Sequence, residues 1–212
     1  MTIAHSANEP TTSGSPVHDR VLDAAEQCLR RFGAADTTME DIAETAGISR
    51  ATVYRYFDGR DGVLLGVAGR DIDRYLSRLG THLDSLADPQ DALLAFCTRV
   101  IRATRRDETL ALLYGQNTGT GRAAPPAGSL NMLFTRTIAF LCPYFDSWQR
   151  AGAIRPELDP RDAADWTLRM VTSLIMVPGV TRRQGADLEV FLRSFLLPAL
   201  ITPEIQSKTG AS

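Results

Sequence analysis

Hydrophobic residues recur at intervals of three or four positions along most of the chain, beginning at Val21 and continuing to Leu197. This spacing places apolar side chains on one face of an α-helix, whereas a half-buried β-strand requires apolar and polar residues to alternate. No segment of the sequence shows convincing alternation of that kind. The pattern therefore predicts an all-α protein of about nine helices.

The first two predicted helices have clear starts and ends. One begins at about Asp19 and stops at Gly33, since glycine commonly ends a helix. The next begins near Thr37 and Glu40, whose three-residue separation is that of a capping box, in which each side chain bonds the backbone amide of the other residue. The predicted buried face of this second helix comprises Met39, Ile42, Ala43 and Ala46.

A tight turn is predicted directly after the second helix. Gly47 ends that helix, because glycine readily adopts the left-handed backbone conformation that a sharp turn requires. Ile48 can fill the corner, and Ser49 can cap a third helix that extends through Tyr56. The order of helix, tight turn and helix predicts a helix-turn-helix module.

Longer helices are predicted for most of the remaining chain. Two of them start at an Asp-Pro pair, Asp88-Pro89 and Asp159-Pro160. Aspartate can cap a helix there, and proline takes a position that needs no amide hydrogen. A flexible loop is expected at 115–128, where glycine and proline are frequent. The predicted helices cover about residues 61–79, 88–101, 108–114, 129–151, 159–176 and 186–197.

Composition and charge are those of a cytoplasmic globular protein. The 212 residues are 44% hydrophobic and 23% charged, with a net charge of −2. No apolar run approaches the ~20 residues that span a bilayer, so no membrane association is expected. The cysteines are scattered among apolar residues and odd in number, which favours reduced thiols. Metal-ligand spacings, glycine-rich phosphate loops and Ser/His/Asp groupings are missing, so we expect no cofactor, no metal and no catalytic site.

The chain is predicted to have two domains and two flexible ends. Residues 1–16 are rich in threonine, serine, glycine and proline and lack the features of a signal peptide, so a disordered tail is expected there. The helix-turn-helix domain is predicted at 17–60 and a larger helical domain at 61–203. Residues 204–212 are predicted to be a flexible C-terminus.

The third helix carries the candidate chemistry on its outer face. Successive helical residues are about 100° apart, which turns Val53 and Phe57 inward and leaves Tyr54 at the edge of that inner face. Between Gly47 and Arg60, three arginines stand against one aspartate, so the positive charge is local. Arginine can bond guanine twice, threonine and tyrosine can contact phosphates or a thymine methyl group, and alanine permits close approach. The predicted outer face comprises Ala51, Thr52, Arg55 and Tyr56.

An isolated amphipathic helix of this kind has a simpler explanation, in which Arg55 and Tyr56 only solvate its outside. The preceding sequence favours the functional interpretation. The segments VLDAAEQCLRRFG and TTMEDIAETAGISRATVYRYFDGRDGVL resemble the N-terminal region of TetR-family regulators over about residues 18–66. A capped helix, an Ala-Gly-Ile-Ser turn and a Thr-Val-Tyr-Arg-Tyr-Phe segment occur in the order of that family.

The resemblance implies roles for the residues around the turn. Thr38 and Tyr54 would contact phosphates, and the start of the fourth helix would meet the DNA backbone. Many family members have lysine at that start, where this chain has Arg60, whose planar fork binds phosphate with a different geometry. Arg50 would face the major groove together with the predicted outer face. The candidate DNA-binding residues are Thr38, Ser49, Arg50, Ala51, Thr52, Tyr54, Arg55, Tyr56 and Arg60.

The resemblance also implies a homodimer formed by the last two long helices, here about Pro160–Met176 and Ala186–Leu197. Apolar residues are spread widely round the first of these, and a helix that is apolar over a wide arc must be buried on more than one side. A four-helix interface between two copies would bury them, and burial within one subunit is the alternative. The residues concerned are Trp166, Leu168, Val171, Leu174 and Ile175.

A ligand pocket is expected between the fourth helix and the middle helices that the loop connects. An aromatic set with a few amides suits a large, mainly apolar ligand. Ordinary core packing is the alternative for each of these residues taken singly. The candidate lining residues are Phe96, Tyr114, Gln116, Asn117, Phe134, Tyr144, Trp148 and Trp166.

The expected function is that of a ligand-responsive, sequence-specific DNA-binding transcriptional regulator. In its most specific form it is a homodimeric repressor, released from a palindromic double-stranded DNA operator by an apolar small-molecule effector. Drug-efflux or lipid-metabolism genes are the targets that the resemblance implies. Two alternatives stay open: a helical small-molecule carrier or enzyme with a vestigial helix-turn-helix, and an architectural DNA-binding protein without an effector.

Overall fold

The computed structural model describes residues 15–106, 128–177, 179–181 and 183–202. Helices make up almost all of this part of the chain, and its pairing of extended backbone is limited to one isolated bridge between Ile154 and Ile201. The all-α prediction is confirmed. The backbone divides into two compact units, of which the first ends at Arg70 and the second begins at Asp71.

The first unit contains three complete helices and the beginning of a fourth. These are α1 (Pro16–Asp36), α2 (Met39–Ala46), α3 (Arg50–Tyr56) and the first turns of α4 (Gly59–Leu83). Their shared core includes Val21, Leu22, Cys28, Ile42, Val53, Phe57, Val63 and Val67, each at most 7% exposed.

The first unit extends ten residues beyond the predicted boundary at Arg60, because the start of α4 belongs to the same core. Val63 and Val67 are buried against α1 and α3 residues. At Gly66, an added Cβ would lie only 2.7 Å from a methyl carbon of Leu22. The absence of a side chain at Gly66 therefore lets α4 approach α1 closely.

Helix α1 starts three residues earlier than the predicted Asp19. Ser15 caps it by accepting a hydrogen bond from the backbone amide of His18 at 3.1 Å, and Pro16 occupies the first helical position. The Ser-Pro pair is thus the same start signal as the two Asp-Pro pairs, although the prediction assigned it to the tail. Gly33 has a φ of 81° and interrupts α1 where the sequence predicted a stop.

The capping box of α2 lies one residue later than predicted. Thr38 Oγ1 accepts a hydrogen bond from the amide of Asp41 at 3.2 Å, and Asp41 Oδ2 accepts one from the amide of Thr38 at 2.9 Å. The predicted pair, Thr37 and Glu40, was therefore wrong. The sequence could not distinguish the two pairs, because both are separated by three residues. Thr37 is buried instead, and its hydroxyl donates to the carbonyl of Gly33 at 2.7 Å.

The second unit holds the longer helices. Helix α5 (Pro89–Arg106) packs against α7 (Pro160–Met176) and α8 (Gly185–Phe195), and α6 (Ser129–Arg150) packs along α7. A short helix, α9 (Leu197–Leu200), follows α8. Proline at the start of α9 ends the helix that was predicted to continue through Leu197. The predicted helix at 108–114 lies outside the described residues.

The segment between α6 and α7 is fixed by polar contacts. Gln149 donates to the carbonyls of Arg155 at 3.2 Å and Leu158 at 2.7 Å. Asp159 caps α7, as its Asp-Pro pair predicted. The amide of Arg155 donates to the carbonyl of Leu200 at 3.0 Å, which ties this segment to α9. None of the described helices is long and apolar enough to cross a membrane.

Candidate nucleic-acid interface

The turn between α2 and α3 has the geometry that the sequence predicted. Gly47 adopts a left-handed conformation, with φ 62° and ψ 38°, and its amide donates to the carbonyl of Glu44 at 3.0 Å. Ile48 is half-buried against the core and fills the corner. Ser49 Oγ accepts the amide of Thr52 at 3.2 Å and so caps α3. The direction of α3 is therefore set by local contacts that need no ligand.

Helix α3 is anchored on one side and open on the other. Val53 is fully buried and Phe57, which ends the helix, is 7% exposed. Ala51 and Arg55 are exposed, and Thr52 is half-buried. This separation confirms the predicted inner face and places three of the four outer-face residues where they can meet another molecule.

The two tyrosines of α3 lie differently from the prediction. Tyr54, expected at the edge of the inner face, is 45% exposed. Tyr56, expected on the outer face, is half-buried and packs against the core. Helical geometry explains the difference, because Tyr56 is only about 60° from Val53 round the axis whereas Tyr54 is about 100° away. Tyr54 is therefore more exposed on the outer face of α3 than Tyr56 is.

Arg50 connects α2 to α3 at the surface. Its guanidinium forms an ion pair with Glu40, donates to the Tyr54 hydroxyl at 3.2 Å and lies 5.3 Å from the centre of the Tyr54 ring. The hydrogen bond to Tyr54 and the nearby Glu40 carboxylate raise the pKa of Arg50. Both members of the ion pair are more than half exposed, so the pair orients Arg50 more than it stabilises the fold.

Arg60 has protein partners that the sequence did not predict. Its Nε donates to the carbonyl of Thr37 at 2.8 Å, and its Nη2 lies 3.4 Å from the carbonyl of Ala35. These carbonyls belong to the junction between α1 and α2. Arg60 thus fastens the start of α4 to that junction, and its side chain remains 30% exposed.

Thr38 is also engaged by the protein. Its hydroxyl donates to Asp41 Oδ2 at 2.6 Å, so a phosphate contact through that hydroxyl requires it to turn away from Asp41. The hydrogen bonds from Thr38 lower the pKa of Asp41, which keeps that carboxylate ionised. Sequence reasoning therefore missed two acidic neighbours of the interface, Glu40 and Asp41. Both carboxylates are visible in the sequence, in the first turn of α2, but Glu40 was interpreted only as part of the capping box.

The five predicted ligand-binding residues that the structure describes have different surroundings. Phe96 is fully buried in the core, and Phe134 lies 6.0 Å from the guanidinium of Arg169. Tyr144 and Trp148 contact each other, with ring centres 5.6 Å apart, and Trp166 is half-buried. Three further candidates lie outside the described residues: Tyr114, Gln116 and Asn117.

Tyr144 already has a polar partner. Its hydroxyl donates to Asp84 Oδ1 at 2.9 Å, which links α6 to the end of α4. Burial and the Asp84 carboxylate raise the pKa of Tyr144 to about 12. The phenol therefore stays neutral and acts as a structural donor at ordinary pH.

The second unit contains cavities of very different size. Between α4, α5 and α6, where a pocket was expected, the cavity measures only about 20 Å³. A much larger cavity of about 590 Å³ lies between the end of α7, the segment after it and α8. Of the predicted lining residues that the structure describes, none borders either cavity.

A three-helix unit with a helix-turn-helix, followed by a larger helical unit, is the architecture of a DNA-binding transcriptional regulator. Residues 21–67 match the family model described as bacterial regulatory proteins, tetR family. The chain is 32% identical over 188 residues to an uncharacterized HTH-type transcriptional regulator, Rv1255c of Mycobacterium tuberculosis. That alignment covers 87% of this chain and 85% of the relative.

Solved structures share the fold at lower identity. The regulator RolR in complex with resorcinol superposes with a TM-score of 0.64 at 17% identity, covering 87% of each chain. FadR of Bacillus subtilis in complex with stearoyl-CoA gives a TM-score of 0.52 at 18% identity, covering 84% of this chain and 94% of FadR. The chain belongs to the TetR family of bacterial regulatory proteins. It is accordingly a transcriptional regulator and not an enzyme.

Proposed function

We propose that this regulator is a cytoplasmic, homodimeric repressor that binds a palindromic operator and is released by a mainly apolar small molecule. Drug-efflux or lipid-metabolism genes are the proposed targets. The observation that carries the DNA-binding part is the exposure of Ala51 and Arg55 on a short helix whose opposite side is anchored by Val53. A side chain held in this way can enter a major groove without a prior change in fold.

Base reading is assigned to the exposed side of α3. Arg55 can bond guanine through two parallel hydrogen bonds, and Thr52 can contact a thymine methyl group. The small side chain of Ala51 permits a close approach of the helix axis to the bases. Tyr56 lies at the border of this surface, where its half-buried ring supports Arg55, whose guanidinium is 5.3 Å from the ring centre.

Phosphate contacts are assigned to residues around the base-reading surface. Tyr54 is exposed and its hydroxyl can donate to a phosphate, and Arg50 lies beside it. Ser49 and Thr38 stand at the N-termini of α3 and α2, where backbone amides and the helix dipole favour an anion. Arg60 can add its charge, although its guanidinium already donates to two carbonyls. These contacts would fix the register of α3 on DNA without reading sequence.

Homodimerisation is supported by exposed apolar residues on α7 and α8. Val190 and Phe195 of α8 are 63% and 65% exposed. Trp166 and Leu174, half-buried at a spacing of eight residues, lie on one side of α7. An isologous interface with a second copy would cover such residues, and it would present two α3 helices to one duplex about 34–36 Å apart.

Release by a ligand follows from a shift between two conformations. A ligand that prefers a form with a different separation of the two α3 helices lowers DNA affinity, and DNA lowers ligand affinity by the same free energy. RolR and FadR, which share the fold, were crystallised with resorcinol and with stearoyl-CoA. The fold thus accommodates small molecules, as the proposal requires.

Selection of bound duplexes from genomic fragments tests this function. The expected result is an inverted repeat near the regulator's own gene or its neighbours, bound by a dimer in fluorescence polarisation. Operator affinity should exceed that for random DNA by at least about a thousandfold at physiological salt. Affinity that depends on salt alone and is the same for all sequences would contradict the proposal and favour an architectural DNA-binding protein.

A further inference from the structure

One cavity of the second unit is lined in part by apolar residues of α7 and α8. Its volume of about 590 Å³ falls within the range of about 300–1,000 Å³ that is typical of ligand sites. Ile175 of α7 and Leu188 and Phe191 of α8 are among the residues that line it. A flexible apolar group would leave water on entering this space, which is favourable in proportion to the buried area.

A smaller cavity of about 210 Å³ adjoins the first and is lined mainly by polar residues. Arg105 and Leu188 belong to both linings, so the two cavities are immediate neighbours. The smaller one includes Arg102 and Arg106, one turn apart on α5, and the Gln184 and Gly185 start of α8. The first cavity is thus mainly apolar along α7 and α8, whereas the second is rich in arginine.

Charge in these linings is predominantly positive. Arg102, Arg105 and Arg106 border the small cavity, and Arg183 borders the large one. Among the lining residues that the structure describes, Glu189 is the one carboxylate. Among the residues that the structure describes, no carboxylate is within ion-pairing distance of Arg102, Arg106 or Arg183.

The start of α8 adds to the positive potential. In the described part of the chain no side chain caps this eleven-residue helix, so its first amides are available to an acceptor. Gln184 and Gly185, at the start of α8, line the same small cavity as Arg102 and Arg106. An anionic group placed there would meet guanidinium donors and helix amides together.

We propose that these adjoining cavities form one binding site for an amphipathic anion, with its carboxylate or phosphate head in the arginine-lined cavity and its hydrocarbon tail in the apolar one. The inference rests on the proposed function in that this molecule would be the effector. It refines that proposal, because a purely apolar effector would leave Arg102 and Arg106 without an anionic partner. It also places the effector between α5, α7 and α8 and not at Tyr144 and Trp148.

Isothermal titration calorimetry with four ten-carbon ligands tests the head-group preference: decanoate, decyl phosphate, decanol and decylammonium. The tail is constant, so differences in Kd report on the head. Both anions are expected to bind the full chain at least about tenfold more tightly than decanol, and decylammonium most weakly. Comparison of decanoate with decyl phosphate distinguishes the two anionic classes. Equal affinities for all four ligands, or a preference for decylammonium, would overturn the inference.

The variant R102Q/R106Q locates the head-group site. Both residues are exposed, so the fold is expected to persist, and unchanged circular dichroism checks this. The affinity for both anions should fall about tenfold while that for decanol stays the same. Arg99→Gln is the matched control, because Arg99 is an exposed arginine of the same helix outside both linings, and it should change neither affinity. An unchanged anion affinity in the double variant would show that the arginines hold no ligand.

DNA binding measured on the same samples separates this inference from the proposed function. If no amphiphile binds while an operator is bound specifically, the amphipathic-anion site is wrong and the DNA-binding function stands. If the anions bind as expected and no operator is found, the site stands and the repressor proposal fails.

Discussion

Two arginines of the first unit and two of the second have different surroundings. In the first unit, Arg50 pairs with Glu40 and Arg60 donates to main-chain carbonyls, so both guanidinium groups are held in place by the protein. In the second unit, Arg102 and Arg106 border a cavity, and no described carboxylate pairs with them. A guanidinium that is already hydrogen-bonded keeps a fixed geometry, whereas one beside a cavity can bind what enters it. The surface around Arg50 and Arg60 is therefore preorganised, whereas the cavity beside Arg102 and Arg106 is open to a ligand.

The largest expected effect comes from the anchor of that preorganised surface. Phe57 is 7% exposed, and its ring stacks on His18 with centres 4.7 Å apart. Phe57→Ala should lower the free energy of unfolding by about 3–5 kcal/mol, because a cavity replaces a buried ring. Denaturant unfolding followed by circular dichroism measures this. Phe32→Ala, at a residue 39% exposed in the same unit, is the control and should cost much less; equal losses would mean that Phe57 is not an anchor.

Arg60 distinguishes a structural clamp from a phosphate contact. Arg60→Ala should lower stability by about 1–2 kcal/mol, since it leaves the carbonyl of Thr37 without its charged donor. Arg60→Lys keeps the charge but loses the fork, so an intermediate stability is expected. Thermal unfolding without DNA is the measurement. Wild-type stability in both variants, together with weaker binding to every DNA sequence, would assign Arg60 to phosphate alone.

Gln149 provides the corresponding clamp in the second unit. Its amide donates to carbonyls on both sides of the turn between α6 and α7, and Gln149→Ala removes these bonds. A loss of about 1 kcal/mol is expected, with DNA affinity unchanged. Denaturant unfolding and polarisation on the same sample check the two parts. A loss of DNA affinity without loss of stability would contradict this separation of roles.

The smallest expected effect is a gain in DNA affinity. Glu40 competes with phosphate for Arg50, so Glu40→Gln should tighten DNA binding about threefold at low salt. The free energy of unfolding should barely change, since the pair is exposed. Glu44→Gln is the matched control, because Glu44 is an exposed carboxylate of the same helix. If both variants bind DNA equally well, the gain comes from net charge and not from the release of Arg50.

Features with local causes could be predicted from the sequence. The turn at Gly47, the cap at Ser49 and the bounds of α7 depend on residues within one helical turn of each other. The errors in the first unit have local causes too. The capping box was misplaced because the pair Thr37 and Glu40 has the same spacing as the true pair, Thr38 and Asp41. Tyr56 was assigned to the outer face although it lies close to the buried side of the seven-residue helix α3.

Features of the second unit that depend on long-range packing could not be predicted in the same way. The position of the large cavity depends on how α5, α7 and α8 approach one another, which the periodicity of each helix does not encode. Tyr144 and Trp148 were predicted to line a pocket because they are aromatic, and in the structure they pack against each other. The sequence did not single out Arg102 and Arg106 as candidate ligand contacts. Arginine accounts for nearly all the basic residues of the chain, so two more arginines did not stand out.

The most direct test of base reading by α3 is the sequence preference of Arg55→Ala. Fluorescence polarisation is measured on the selected operator and on duplexes with single base-pair changes, with Arg30→Ala, an exposed arginine of α1, as control. Arg55→Ala should lose about 1–3 kcal/mol on the operator and cease to discriminate at one base pair in each half-site, whereas Arg30→Ala should bind as the wild type does. The same loss on every duplex would show that Arg55 contacts phosphate only, and it would contradict base reading by this residue.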